Sequence, residues 1–202
     1  MNCCLERFIW LDYPSNKSMS TSRKICAVTV IAALCLGSNY ALAGLPNFKF
    51  MDFLVFISGF VFGPIAGGSI GILIWMVYGV INPYGFVPQI WGATMLSESV
   101  YGFAGGFLGR KNPLNKFEGN PLSFGVFLGV IGLFLTFIYD LITNFVYAYA
   151  LNIPLVIALI TGVPFALVHQ LSNTLIFGIC SIPVITAIER FVGVGSFGLF
   201  KG

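Results

Sequence analysis

Charge is scarce in this sequence, and its scarcity indicates the class of protein. Aspartate, glutamate, lysine and arginine supply only 8% of the 202 residues, whereas 57% of the residues are hydrophobic. Soluble domains carry roughly 25% charged residues. Apolar runs long enough for membrane-spanning helices recur from Ile25 to Ile188. The composition predicts an all-α, multi-pass integral protein surrounded by the lipid of the cell membrane.

Several chemistries lack the residues they need. A single histidine and five cysteines without a C-x-x-C pair leave no ligand set for a metal centre. The chain has no G-x-x-x-x-G-K-[ST] phosphate loop, so we do not expect it to hydrolyse nucleotides itself. A membrane-embedded enzyme would need a catalytic constellation that this chain barely offers. The sequence therefore predicts no metal, no cofactor, no nucleic-acid partner and no enzymatic activity.

The apolar segments set the number of spans. They cover approximately 25–43, 52–81, 89–109, 122–150 and 155–188. As one straight helix, the second segment would be about 45 Å long, well over the roughly 30 Å hydrocarbon core. Its centre reads FGPIAGG, in which Pro64 lacks a backbone donor and the glycines favour a break. This pattern predicts two short helices, about 47–62 and 64–81, joined by a tight turn.

The placement of lysine and arginine supports six spans with both termini in the cytoplasm. With six spans, Lys49 is the one basic residue outside, whereas five spans would leave four inside and six outside. The nine basic residues then predicted inside are Arg7, Lys17, Arg23, Lys24, Arg110, Lys111, Lys116, Arg190 and Lys201.

The last apolar run is also too long for one simple span. Gly162 and Pro164 predict a short re-entrant or interfacial piece before a sixth helix at about 164–188. The predicted organisation is a polar N-terminal segment (1–24), a six-helix membrane domain (25–190) and a cytoplasmic tail (191–202).

Two alternatives apply to the N-terminal region. A basic start, an apolar stretch and Ala-Leu-Ala before Gly44 also fit a cleavable signal peptide over 1–43. Met19 is an alternative start, because residues 1–18 are polar and irregular.

Polar residues recur at helical spacing inside the last two apolar segments. Asp140 and Asn144 form one i, i+4 pair and His169 and Asn173 form another, so each pair shares one helix face. The topology places the two faces at similar depth. Ionisable groups there cost about 2.5–3.5 kcal/mol each and normally face a wet cavity or a partner. We expect the faces to meet in a substrate pocket; the alternative is a structural Asp140–His169 contact that fixes helix packing.

The predicted outer loops supply further polar and aromatic side chains. A pocket walled by aromatic rings with few polar groups suits a small organic molecule with a flat ring. The alternative is that these aromatic residues form only an interfacial belt. Glu98 either lines the pocket floor or pairs with another buried polar group, and an amine on the ligand would pair with Asp140 or Glu98. The candidate substrate-binding residues are Asn39, Asn47, Asn82, Tyr84, Trp91, Glu98, Asp140, Asn144, His169 and Asn173.

Several stretches together resemble a known family. They are NYALAGLPNFKFMDFLVFISGFVFGPIAGGSIG, then NPYGF, GFAGGFLGR, YDLITN and HQLSN. Taken in this order, they resemble the sequences of the substrate-binding S components of energy-coupling factor (ECF) transporters, and the resemblance covers roughly residues 25–190. Ser97, Glu98 and Ser99 depart from the apolar or small residues expected there, so the resemblance carries no particular substrate.

The resemblance implies a six-helix subunit that captures a vitamin or related micronutrient from outside. Its partners would be a transmembrane coupling protein and two cytoplasmic ATPase subunits, which supply the energy. Family members dock on the coupling protein through small residues on the first helix, and the nearest match here is Ala33-x-x-x-Gly37. The alternative function is a proton- or sodium-coupled secondary transporter in which Asp140 and His169 relay the ion.

Overall fold

All elements of regular secondary structure in the described part of the chain are helices. The computed structural model describes residues 21–81, 85–111, 117 and 120–192, without the side chains of residues 21, 23, 24, 189, 191 and 192. These ranges contain six helices and no strand, which confirms the all-α prediction. The helices are α1 (Thr21–Ala41), α2 (Phe50–Phe62), α3 (Pro64–Ile81), α4 (Pro88–Arg110), α5 (Pro121–Ala150) and α6 (Leu155–Val192).

Among the described residues, three helices are long and apolar enough to cross a membrane. They are α3, α5 and the Leu155–Ile188 part of α6, whereas Ile25–Ala41 and α2 are apolar but shorter. Their outer faces carry large apolar side chains, which include Phe134, Leu141, Ile160, Leu171 and Ile179. An apolar exterior of this extent is compatible with a membrane protein.

The break between α2 and α3 falls where the sequence predicts it. Gly63 ends α2 with a φ of 100°, in a region that side chains with a Cβ rarely adopt. Its N–H donates to the carbonyl of Gly59 at 2.7 Å. Pro64 then begins α3 at a position where a missing N–H costs nothing. The predicted pair of short helices is confirmed.

The short helix α2 lies at the centre of the bundle. Every residue from Met51 to Phe62 is buried, and the helix contacts α1, α3, α4 and α6. A helix that is apolar all round is expected to be enclosed by others. Its one buried carboxylate, Asp52, therefore lies inside the bundle and not at a surface.

Glycines bring α4 against α2 and α3. A Cβ on Gly102 would collide with the backbone of Gly67, and one on Gly105 would collide with the carbonyl of Phe56. Only hydrogen atoms at these positions permit the approach. This close packing fixes α4 beside the central helix.

The predicted interfacial piece before the sixth helix is wrong. Helix α6 runs without interruption through Pro164 and Pro183. Pro164 points outwards, and prolines are tolerated inside membrane helices more readily than in soluble ones. Gly162 marks a close contact, not a break, because a Cβ there would collide with Asn144 Oδ1 on α5.

Candidate functional site

A histidine between two carboxyl groups joins three helices. The His169 Nε2 of α6 lies 2.6 Å from Asp52 Oδ2 of α2, and its Nδ1 lies 2.8 Å from Asp140 Oδ1 of α5. His169 and Asp52 are fully buried and Asp140 is nearly so. Both ring nitrogens are therefore engaged, either by an imidazolium that donates twice or by a neutral ring beside a protonated carboxyl. In both states a proton is confined inside the bundle.

Hydrogen bonds extend this cluster towards α4. Asn173 Nδ2 donates to Asp52 Oδ2 and to Thr136 Oγ1, each at 2.8 Å. The hydroxyl of Tyr101 on α4 also donates to Thr136 Oγ1, at 2.9 Å. The His169 cluster, meaning Asp52, Asp140, His169, Asn173 and Thr136, thus links the core from α2 to α6 through side chains that are all buried. Three buried oxygens of the cluster, Asp52 Oδ1, Asp140 Oδ2 and Asn173 Oδ1, have no hydrogen-bond partner among the described residues, so the network is only partly satisfied.

Glu98 lies behind an indole ring. Trp75 Nε1 donates to Glu98 Oε2 at 3.2 Å, and Glu98 is fully buried. The carboxyl groups of Glu98 and Asp52 are close enough to interact electrostatically. Trp91 completes the series, because its Nε1 donates to the backbone carbonyl of Trp75 at 2.8 Å. Trp75 is thereby held against the buried acid, and Trp91 is held against the backbone of α3.

Lys49 lies above these groups, just before α2 begins. Its Nζ donates to the Tyr139 hydroxyl at 3.1 Å. The same nitrogen lies 4.6 Å from the centre of the Tyr139 ring and 5.2 Å from that of Trp75. Aromatic faces attract a cation at such distances. The ammonium is therefore held in place by uncharged rings, and the carboxyl groups of Asp52 and Glu98 are close enough to interact with it electrostatically.

Two adjoining cavities open at this end of the bundle. The larger has a volume of about 590 Å³ and lies between α1, the 42–49 loop, α3 and α4. The smaller, about 440 Å³, extends towards α5 and α6. Both volumes fall in the range of small-molecule sites. The residues that line both cavities are Asn47, Lys49, Trp75, Ile90, Thr94 and Tyr147.

The structure brings together part of the predicted site. Asp140 and His169 meet as the i, i+4 pattern predicted. Asn173 turns to Asp52 instead, and Asn144 donates to the backbone carbonyl of Asp140 at 2.7 Å while it lines the smaller cavity. Thus the two predicted faces touch through one pair of side chains.

The predicted loop residues have different surroundings. Asn39 and Trp91 line the larger cavity and Asn47 lines both. Asn39 is buried, and its Nδ2 donates to Met51 Sδ at 2.8 Å. Glu98 lines neither of the two cavities. Asn82 and Tyr84 lie outside the described residues.

The predicted docking pair lies on the outer surface of α1. Ala33 and Gly37 are exposed, and a Cβ on Gly37 would meet nothing within 4 Å. The opposite face of α1 carries Ala27, Ile31 and Cys35 into the core. This small pair is therefore not used for packing within the described part of the chain.

Sequence reasoning missed Asp52 and Lys49 as site residues. In the sequence, Asp52 marks the edge of an apolar segment and Lys49 is only a basic residue of a predicted outer loop. Their position at the start of an apolar run gives no local signal, because a charge near the end of a membrane segment can reach the interface and needs no partner. Their partners lie far along the chain: His169, the partner of Asp52, is 117 residues away in the sequence.

Neither a group of metal ligands nor a similarity to a known protein identifies the function of this site. Within the described ranges, no three or more His, Cys, Asp or Glu side chains form a group that could hold a metal ion. No family model, curated protein or solved structure matches the chain.

Proposed function

We propose that the chain is the substrate-binding S component of an ECF-type importer, a membrane protein with six spans and both termini in the cytoplasm. It captures a vitamin or related micronutrient from outside, and a separate coupling protein with two ATPase subunits drives uptake. The observation that carries the proposal is the pair of adjoining cavities, about 590 and 440 Å³, at one end of the helical bundle. Sites of this size, with aromatic walls and few polar groups, bind small organic molecules.

The charge distribution supports an orientation of this site towards the outside. Arg110 and Lys111 lie at the end of α4, whereas the cavities lie at its beginning, around Ile90 and Thr94. Basic residues favour the cytoplasmic side. The cavity end then faces the exterior, where a solute-capturing subunit requires it.

The short helix α2 fits this orientation. Its 13 residues rise about 20 Å, less than the roughly 30 Å of hydrocarbon. Helix α2 therefore begins below the outer membrane surface, and the preceding loop completes the crossing. Irregular backbone at that depth is tolerated where it lines a cavity. Asn47 and Lys49 of this loop do line both cavities.

The energy source is a separate set of chains in this proposal. The sequence contains no nucleotide-binding motif. The exposed Ala33 and Gly37 on α1 allow a partner helix to approach closely. We assign the coupling protein to this face.

Co-purification tests the assignment. The affinity-tagged chain is purified from host membranes in a mild detergent, and the accompanying chains are identified. A coupling protein and two ATPases should accompany the wild type and be lost from the Gly37→Leu variant. Gly44→Leu makes the same change at an exposed glycine of the following loop, outside the face of α1, and serves as the control that keeps them. Recovery of the wild-type chain without these partners contradicts the assignment.

A proton-coupled secondary transporter is the second candidate, and one observation favours it. His169 lies between Asp52 and Asp140 inside the bundle, an arrangement that can hold and release a proton. This function predicts solute accumulation by the purified chain alone in liposomes with an imposed proton gradient. The ECF function predicts no accumulation there, and uptake only with the ATPases and ATP.

A further inference from the structure

We propose that Lys49 binds the carboxylate of a flat-ring ligand in the larger cavity. This inference rests on the proposed function, because it assigns the chemical class of the captured molecule. The geometry that points to it is a single ammonium group held among aromatic rings at the junction of two cavities.

The ammonium group has capacity for a ligand. A lysine has three N–H donors, and one of them is directed to the Tyr139 hydroxyl. Among the described residues, the ion pairs are those of His169 with Asp52 and Asp140, and Lys49 takes part in neither. A carboxylate in the cavity would therefore gain charge-assisted hydrogen bonds without displacing a protein carboxylate.

The charge that lines the larger cavity favours an anion over a cation. Lys49 is the charged side chain among the described residues that line the larger cavity. Asp140 lines only the smaller one; its Oδ1 is bonded to His169 and its Oδ2 has no hydrogen-bond partner among the described residues. Glu98 and Asp52 line neither cavity. A ligand amine in the larger cavity would thus meet the ammonium of Lys49 and no carboxylate among the described lining residues.

The walls define the rest of the ligand. Trp75, Tyr78 and Trp91 line the larger cavity, and Trp75 and Trp91 are fixed by the hydrogen bonds of their indole nitrogens. Held rings of this kind offer apolar faces to a flat conjugated system at little entropic cost. The inferred ligand class is a planar ring system that carries a carboxylate.

Three matched probes test this class on the full chain in lipid nanodiscs. They are 2-naphthoate, 2-naphthylmethanol and 2-naphthylmethylammonium, which share a ring system and differ in charge. Binding is measured by equilibrium dialysis, with empty nanodiscs subtracted. We expect 2-naphthoate to bind the wild type about tenfold more tightly than the neutral alcohol. Lys49→Met should remove this preference and leave alcohol binding unchanged, whereas Lys49→Arg should keep it.

The control is Lys111→Met, which removes an exposed lysine at the other end of α4. It should bind all three probes as the wild type does. The inference is overturned if the alcohol or the amine binds the wild type as tightly as 2-naphthoate, a result that requires no variant. It is also overturned if folded Lys49→Met keeps the preference. If none of the three probes binds the wild type, this inference is overturned, whereas the proposed function is judged separately by the partners that co-purify with the chain.

Discussion

The imidazole of His169 lies 2.6 Å from the carboxylate of Asp52, across 117 residues of sequence. This contact joins the central helix α2 to α6, and the 2.8 Å contact with Asp140 adds α5. All three groups are buried, so the cost of removing each one from water is offset by its contact with the others.

Removal of the imidazole should therefore destabilise the bundle strongly. His169→Ala leaves two buried carboxyl groups without their shared partner, and we expect a loss of about 3–5 kcal/mol in the free energy of unfolding. Chemical denaturation in detergent micelles measures it. Leu171→Ala, two positions along α6 and 63% exposed, should change it by only about 0.5 kcal/mol. A similar small loss in both variants would show that the cluster contributes little to stability.

A glycine pair provides an independent test of the fold. Gly102→Ala places a methyl group against the backbone of Gly67, and we expect a loss of about 1–3 kcal/mol from the overpacked interface. Gly92→Ala makes the same change in the same helix, where nothing lies within 4 Å, and it should be neutral or slightly stabilising. The same denaturation experiment measures both, and equal stabilities would refute the close α3–α4 contact.

The orientation of the bundle is tested by cysteine labelling in intact cells. The five natural cysteines are replaced by alanine, and a membrane-impermeant maleimide is applied from outside. Leu45→Cys and Phe86→Cys, both exposed at the cavity end, should react. Lys111→Cys at the opposite end should react only after the cells are opened. The reverse pattern would place the cavities in the cytoplasm and exclude capture from outside.

Local chemistry made part of the fold predictable. Gly63 and Pro64 specify a break by themselves, because one adopts a positive φ and the other lacks an N–H. Gly162 and Pro164 show the same two residue types with another meaning. There the glycine makes room for Asn144, and the proline points outwards. Nothing local in the sequence distinguishes these cases, since the difference lies in the neighbouring helix.

A contact in the site was predictable only where both partners are isolated ionisable residues within their own apolar segments. Asp140 and His169 are isolated ionisable residues inside long apolar runs, so their pairing followed from depth and helix face. Asp52 and Lys49 lie at the edge of a run, where charge needs no special explanation. Their roles became visible only when the central position of α2 showed that this edge is buried.

A tryptophan placed in the cavities should block them without harm to the fold. Ile90 is partly buried and lines both cavities, so Ile90→Trp fills open space. Leu96→Trp, on the same helix and 65% exposed, is the matched control. Both variants should unfold within about 1 kcal/mol of the wild type, because neither adds bulk to the packed core.

Native mass spectrometry of these three proteins tests the central claim most directly. Each protein is incubated with a small-molecule extract of host cells, separated from free solutes and released from detergent in the spectrometer. We predict one non-covalent small-molecule adduct on the wild type and on Leu96→Trp, and none on Ile90→Trp. An equal adduct on all three proteins, or no adduct on the wild type, would contradict binding in these cavities.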